Sequence, residues 1–242
     1  MSSHVESPYC GLVSINPAQP HRRRMSKQDR RAQLLVHAQA MFAAHGFHHI
    51  SMDDIAEAAA VSKPILYRHF PSKLDLYLAI IDERSHALVQ AVEAALHHHD
   101  TPSAPYVVDE SSPLSPAAQT LGLQVVSSIM GAYVIFASET GMAASLLFES
   151  DVTRDDTVRE RVEEPNTVIA HLVARRLRDL TDLSEADAFT VARCATALAR
   201  HAAVDALHTA TPYLDRDAHV DLLARFAWYG IQGMLRREGK TP

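Results

Sequence analysis

The stretch 51–73, SMDDIAEAAAVSKPILYRHFPSK, is rich in residue types that bind nucleic acids. Arginine can hydrogen-bond to both acceptors of a guanine edge, while serine, tyrosine and lysine donate to phosphate oxygens. These contacts are noncovalent, and the sequence has no Gly-rich phosphate loop, G-x-S-x-G, H-E-x-x-H or C-x-x-C motif. The helical histidines His171, His201 and His208 have spacings that indicate no shared site. The residues therefore favour a binding protein over an enzyme.

Three serines in this stretch each precede a predicted helix, and we expect each to cap it. An acidic residue follows three positions after Ser51 and Ser72, a variant of the capping box, and Pro64 lies in the first turn after Ser62. Only a tight connection at 59–61 separates the first two helices. This arrangement predicts a helix-turn-helix, whose second helix can enter a DNA major groove.

Charge is distributed unevenly along the 242 residues. The net charge is −6, yet residues 22–73 hold nine Lys and Arg against four acidic residues, a net +5, which leaves −11 for the rest. A basic head joined to an acidic body is typical of a DNA-binding segment fused to a part that does not touch DNA. The basic arm Arg22–Arg31 either lies along the DNA or is a solvated tail.

Composition predicts an all-α protein. Hydrophobic residues make up 47% of the chain, enough for a packed core, and glycine occurs only eight times while alanine and leucine recur. A helix at 26–45 carries one apolar stripe and ends at Gly46, and a long helix runs from Ser72 to Leu96. Further helices are predicted at 116–138, 140–149, 157–180, 184–209 and 215–237, with a kink or a start near Pro165 in the third of these.

We predict three segments: a disordered tail at 1–25, a helix-turn-helix DNA-binding domain at 26–72, and a helical ligand-binding and dimerisation domain at 73–242. The body is expected to be an antiparallel helical bundle with a mobile loop near 98–116, which is rich in Pro and Ser. Whether translation starts at Met1 or Met25 stays open.

The remaining features favour a soluble protein without metal or cofactor. His97, His98 and His99 are consecutive and point in different directions, as expected of a solvated helix end rather than a metal site. The two cysteines, Cys10 and Cys194, lie far apart and provide no disulfide framework, which favours the cytoplasm. Polar residues interrupt the apolar stretch 121–148, which favours a buried helix pair over a membrane span.

Apolar residues of the central helices are candidates for lining a ligand cavity, although ordinary core packing also accounts for them. Such a cavity would suit a fatty acid, an acyl-CoA or a lipophilic drug. The candidates are Leu123, Ile129, Tyr133, Phe136, Met142, Leu146 and Phe148.

The last two predicted helices are amphipathic, and one of them has a face of small residues. Together they are suited to a four-helix bundle between two protomers, or they complete the core of one protomer. The candidate interface residues are Ala195, Ala199, Ala202, Leu222, Phe226 and Tyr229.

Residues 27–84 resemble the N-terminal domain of the TetR family of bacterial transcriptional regulators. The resemblance rests on A-x-x-G-F at 43–47, followed by SMDDIA and VSKPILYRHFPSKLDL, and it covers about a quarter of the chain at motif level. It implies a homodimer that binds a palindromic operator and a small molecule.

The resemblance also implies site residues. Ser51, Tyr67 and Lys73 would hold phosphates. Lys63, Pro64, Ile65 and Arg68 would face the groove, with His69 at its edge and Ser62 at the start of the reading helix.

We therefore expect a ligand-responsive regulator, a repressor, whose DNA affinity changes when an apolar effector binds. The alternative is a DNA-binding regulator whose body only dimerises. Neither the effector nor the direction of its effect follows from the sequence.

Overall fold

The computed structural model describes residues 25–97, 114–152, 155–208 and 215–234, and the regular structure in these ranges is helical. A short 3-10 turn, Gly141–Ala144, precedes the sixth helix. The α-helices are α1 (Lys27–His45), α2 (Met52–Ala58), α3 (Lys63–His69), α4 (Lys73–His97), α5 (Pro116–Thr140), α6 (Ser145–Phe148), α7 (Asp156–Leu180), α8 (Glu185–His208) and α9 (Arg216–Met234).

The predicted all-α fold with an N-terminal helix-turn-helix is confirmed, with two local differences. The helix expected at 140–149 is divided into the 3-10 turn and α6. α7 begins at Asp156 and continues through Pro165, so the predicted start near that proline is wrong. A proline inside a helix removes one backbone hydrogen bond, and Pro165 is buried in the core, where packing offsets that loss. The predicted tail and most of the loop near 98–116 lie outside the described residues.

The head consists of α1, α2 and α3 around one apolar centre. Leu34, Phe42, Ile55, Leu66 and Phe70 are each no more than 2% exposed and belong to one contiguous core. Burial of these five side chains fixes the angle at which α3 is presented, because each helix contributes at least one of them or ends at one.

Side-chain caps define the helix starts of the head, with one exception. The Ser51 hydroxyl accepts the N–H of Asp54, whose carboxylate accepts the N–H of Ser51 at 2.8 Å, which completes the predicted capping box. Ser62 occupies the N-cap position of α3, but its side chain makes no capping hydrogen bond, contrary to prediction. Pro64 has no N–H to offer, and the N–H of Ile65 donates to the backbone carbonyl of Ser62 at 2.9 Å.

The body is organised around α5. α4, α8 and α9 all pack against α5, and α7 lies between α4 and α8. The span Pro116–Phe148 is long and apolar enough to cross a membrane, but 67% of its apolar 18-residue window is buried inside this fold, as expected of a core helix. Gly122 lets α9 approach α5 closely, because a Cβ at this position would lie 1.8 Å from the Trp228 ring.

The alanine face of α8 is part of this core. Ala195 is 7% exposed, and Ala199 and Ala202 are 0% exposed within the protomer. Their predicted place at a dimer interface is therefore wrong. A row of small residues allows close helix packing within one chain as well as between two, and here it allows α8 to pack against its own protomer.

Candidate DNA-binding face and effector body

One face of α3 is solvent-exposed. Lys63, Pro64, Tyr67 and Arg68 are exposed and follow the one- and four-residue spacing of a single helical face. Ile65 is only partly exposed and lies toward the edge of this face. The face presents two cations and a phenol, which is the chemistry that major-groove edges and phosphates accept.

Electrostatics on this face are set by close neighbours. Lys63 Nζ donates to Asp53 Oδ2 at 2.5 Å, and this hydrogen bond raises the pKa of Lys63. Burial lowers the pKa of His69, and the nearby cations, led by Arg68, lower it further. His69 is therefore neutral at physiological pH. The Lys63 ammonium has further N–H donors besides the one bonded to Asp53.

Lys73 has partners that the sequence did not indicate. Its ammonium donates to the carbonyls of Phe47 and Ile50, each at 2.9 Å, and lies 4.2 Å from the centroid of the Phe47 ring. Lys73 thus ties the first turn of α4 to the connection between α1 and α2. One of its three N–H donors remains for a phosphate.

The turn between α2 and α3 is a Schellman motif. The N–H of Ala60 donates to the carbonyl of Glu57, and the N–H of Val61 donates to the carbonyl of Ala56, both at 2.9 Å. Ala60 has φ +52°, and among the described residues other than glycine it alone has a positive φ. The backbone of the head is therefore strained at Ala60, in the turn that sets the orientation of α3.

A second junction joins the head to the body. The N–H of Phe47 donates to the Asp151 carboxylate at 2.9 Å, although 104 residues separate them. The Tyr77 hydroxyl and the Ser150 hydroxyl lie 3.0 Å apart, and the Tyr77 ring packs edge-on against Phe42 and Phe47. Burial raises the pKa of Tyr77 to about 12, so this phenol stays neutral. The segment after α6 therefore contacts the same turn that Lys73 holds.

Six of the seven predicted ligand-lining residues lie in the interior. Tyr133 stacks on Phe148 at 6.0 Å between centroids, Phe136 meets Phe148 edge-on, and the Tyr133 hydroxyl donates to Asn166 at 3.1 Å. The other buried members are Leu123, Ile129 and Leu146. Met142, in the 3-10 turn, is 59% exposed, so its predicted place in the interior is wrong.

Two buried amides were missed as candidate site residues. Gln124 is 6% exposed and its Nε2 has no hydrogen-bond partner among the described residues, and the same holds for both amide atoms of Gln232. Gln124 lies about 200° around α5 from Gly122, so it faces away from α9. Buried polar groups are nearly always satisfied, and ordered water is the usual partner of an amide atom that no other protein group reaches. A glutamine inside an apolar run was the available sequence signal.

Two cavities in the described part of the body lie between α7 and α8. The larger, about 600 Å³, lies at the start of α8, and the smaller, about 110 Å³, lies near Arg200. Neither is lined by the seven predicted ligand residues. Within the described residues, no group of three or more His, Cys, Asp or Glu is placed to hold a metal ion.

The outer side of α9 carries an apolar stripe. Leu222, Phe226 and Tyr229 are spaced four and three residues apart, and Phe226 is 71% exposed. On α8, Cys194 and Ala197 are also exposed. Such a row of large exposed hydrophobic residues is unusual on a monomer surface.

Comparison with known proteins identifies the family. Residues 34–80 match the sequence model of a family described as bacterial regulatory proteins, tetR family. The HTH-type transcriptional activator FasR of Mycolicibacterium smegmatis is 30% identical over 217 residues, which span 89% of this chain and 90% of that protein. The chain belongs to the tetR family of bacterial regulatory proteins. It is a DNA-binding transcriptional regulator and not an enzyme.

Solved structures share the fold of this regulator. A TetR-like transcriptional regulator from Rhodococcus sp. RHA1 has a TM-score of 0.62 and 23% identity, over 87% of this chain and 100% of that one. FadR from Bacillus subtilis has a TM-score of 0.59 and 14% identity, over 82% of this chain and 98% of that one. At these identities the likeness concerns the fold alone.

Proposed function

We propose that this regulator binds a palindromic operator as a homodimer in the cytoplasm, and that an apolar small molecule changes its affinity for that operator. The observation that carries the proposal is the buried aromatic and aliphatic cluster around Tyr133 and Phe148, which contains one polar pair, the Tyr133 hydroxyl donating to Asn166 at 3.1 Å. An apolar site with a few polar groups is the usual form of a small-molecule site.

The proposed effector is a fatty acid, an acyl-CoA or a compound of similar lipophilicity. The residues proposed to contact it are the six buried ones around Tyr133 and Phe148. The Bacillus subtilis FadR, which has this fold, was solved with stearoyl-CoA. The Tyr133 hydroxyl and Asn166 would meet the polar end of the effector, and the aromatic rings would pack against its chain.

On DNA, Arg68, Lys63 and Pro64 would face the major groove, and Ser51 and Tyr67 would hold phosphates. Lys73 would add a phosphate contact through its remaining donor while it holds the turn before α2. In a dimer formed through α9, two such heads must reach successive major grooves, about 34–36 Å apart.

The effector would act on the heads through the junction at Asp151. An effector that displaces α5 or α6 would also displace the segment that follows α6. In that segment, the Asp151 carboxylate accepts a hydrogen bond from the N–H of Phe47. Phe47 precedes α2 and is held by Lys73, so the displacement reaches the reading head. Linkage requires that an effector which weakens DNA binding is itself bound less tightly by the DNA complex.

The decisive experiment titrates stearoyl-CoA, stearate and free CoA into the full chain bound to an operator selected from random duplexes, and follows fluorescence anisotropy and thermal stability. An effector at 100 times its dissociation constant stabilises the protein by about 2.7 kcal/mol. If no lipophilic compound shifts the unfolding transition while operator binding is intact, the body only dimerises, which is the second candidate function.

A reporter assay decides the direction of regulation. The sequence favoured a repressor, whereas the FasR relative is described as an activator. Deleting the gene raises transcription from the target promoter if the regulator represses and lowers it if the regulator activates.

A further inference from the structure

The 600 Å³ cavity between α7 and α8 has the size of a small-molecule site. α7 contributes His171, Arg175 and Arg178 to its wall, and α8 contributes Glu185 and Phe189. The two arginines are three residues apart and therefore share one face of α7. The cavity lies apart from the interior residues proposed to contact the apolar effector.

The cavity holds more positive than negative charge. Arg175 is exposed and makes no ion pair with any described residue. Arg178 lies 3.6 Å from Glu185, and these side chains are 51% and 84% exposed. An exposed pair of this length contributes little free energy, so an incoming anion can compete with Glu185 for Arg178.

In the smaller cavity on the same pair of helices, by contrast, the arginine already has hydrogen-bond and ion-pair partners. Arg200 donates to the carbonyl of Phe148 at 2.7 Å and pairs with Glu163 at 3.3 Å. Its guanidinium is therefore already used to join α8 to α6 and α7. The larger cavity differs because Arg175 has no such partner.

An aromatic wall accompanies the free charge. The rings of His171 and Phe189 stack with centroids 4.4 Å apart and an angle of 25° between their planes. Both rings line the cavity, so a flat ligand can pack against this wall while its anionic group reaches the guanidinium groups.

We propose that the α7–α8 cavity is a second ligand site, which takes a small organic anion carrying a planar ring. An aromatic carboxylate and a nucleoside phosphate both have this chemistry. The cavity shares no lining residue with the interior around Tyr133 and Phe148, so an anion can bind here whether or not an apolar effector binds there.

Calorimetric titration of the full chain at low ionic strength tests the site with benzoate and with ADP as separate probes. We expect at least one probe to bind, and added salt to weaken it because the cavity is open to solvent. Arg175→Ala should weaken that probe by roughly tenfold. Arg159→Ala, an exposed arginine with an ion pair near the start of α7, is the matched control and should leave binding unchanged.

The two probes distinguish two kinds of anion site. Binding of benzoate alone identifies an aromatic carboxylate site, and binding of ADP alone identifies a nucleotide site. If neither probe binds to the wild type at concentrations up to roughly 1 mM, or if Arg175→Ala and Arg159→Ala behave alike, the proposal is overturned. Circular dichroism of Arg175→Ala establishes that the variant is folded.

Discussion

Arg68 and Tyr67 stand side by side on the exposed face of α3, and their chemistry predicts different roles. A guanidinium that reads a guanine discriminates between bases, so Arg68→Ala should lower the preference at one operator position by about 1–3 kcal/mol. Tyr67→Phe removes only a phosphate donor and should weaken all duplexes alike. Anisotropy titrations against single-position operator variants separate the two. A uniform loss in Arg68→Ala would place Arg68 on the backbone.

His69 should make operator binding depend on pH. In the free protein its pKa is below the ordinary value of 6.5, because of burial and adjacent cations. Nearby phosphates would raise that pKa, so the complex would bind more protons than the free protein, and affinity would rise as pH falls from about 7 towards 5.5. The slope of log affinity against pH measures this. His69→Gln should flatten it, and an unchanged slope would remove His69 from the DNA edge.

Lys73 illustrates what sequence can establish about a single residue. Its position at the start of α4 and its charge followed from the motif, and its two carbonyl partners did not. Phe47 and Ile50 lie 26 and 23 residues earlier in the chain, and only the packed head brings their carbonyls to the ammonium. Local pattern predicts residue type and helix position, whereas contacts between distant segments depend on tertiary packing.

At the scale of elements, the turn between α2 and α3 contains a removable strain. Ala60 adopts a left-handed conformation, which costs an L-residue roughly 1–2 kcal/mol, and part of this is offset for glycine by greater freedom in the unfolded chain. Ala60→Gly should therefore raise the free energy of unfolding by about 0.5–1 kcal/mol. Ala58→Gly, at an exposed helical position two residues earlier, should lower it by about 1 kcal/mol. Urea unfolding measures both, and a loss in Ala60→Gly would show that the turn is not strained.

Substitution of Asp151 should weaken the coupling between effector binding and operator binding, and it should leave operator binding itself intact. Asp151→Ala removes the acceptor of the Phe47 N–H and should reduce the effector-dependent change in operator affinity, a factor of about 5–150 in typical allosteric proteins, towards one. Operator affinity without effector should be retained. Asp156→Ala, which removes an exposed ion pair at the start of α7, is the control. A full effector response in Asp151→Ala would exclude this route.

Helix positions were predictable because apolar periodicity, serine caps and Gly46 are local signals. The partner of each helix face was not. The alanines of α8 fit a dimer seam as well as they fit α5, and only the three-dimensional structure shows that Ala199 and Ala202 are inside the protomer. Similarly, Gln124 is polar in an apolar run, but whether its Nε2 finds a partner among the described residues depends on neighbours from other helices.

At the scale of the whole molecule, the two charged regions have separate tasks. Residues 22–73 carry a net +5, and the exposed Lys63 and Arg68 of α3 belong to this set, whereas the rest of the chain carries −11, so we expect DNA to be attracted to the head and not to the body. In the proposed mode of binding, operator affinity depends on the placement of two heads, which requires a second protomer.

The exposed stripe of α9 is the surface that we propose for such a dimer. Phe226 is the most exposed of its large side chains, and Phe226→Glu would place a charge in a buried contact if two copies meet there. We expect the variant to be a monomer by light scattering and to lose most of its affinity for a two-half-site operator, since the second head no longer adds to the first. Val36→Glu, at a 67% exposed position on α1, should leave the mass unchanged. A dimeric, operator-binding Phe226→Glu variant would move the interface away from α9.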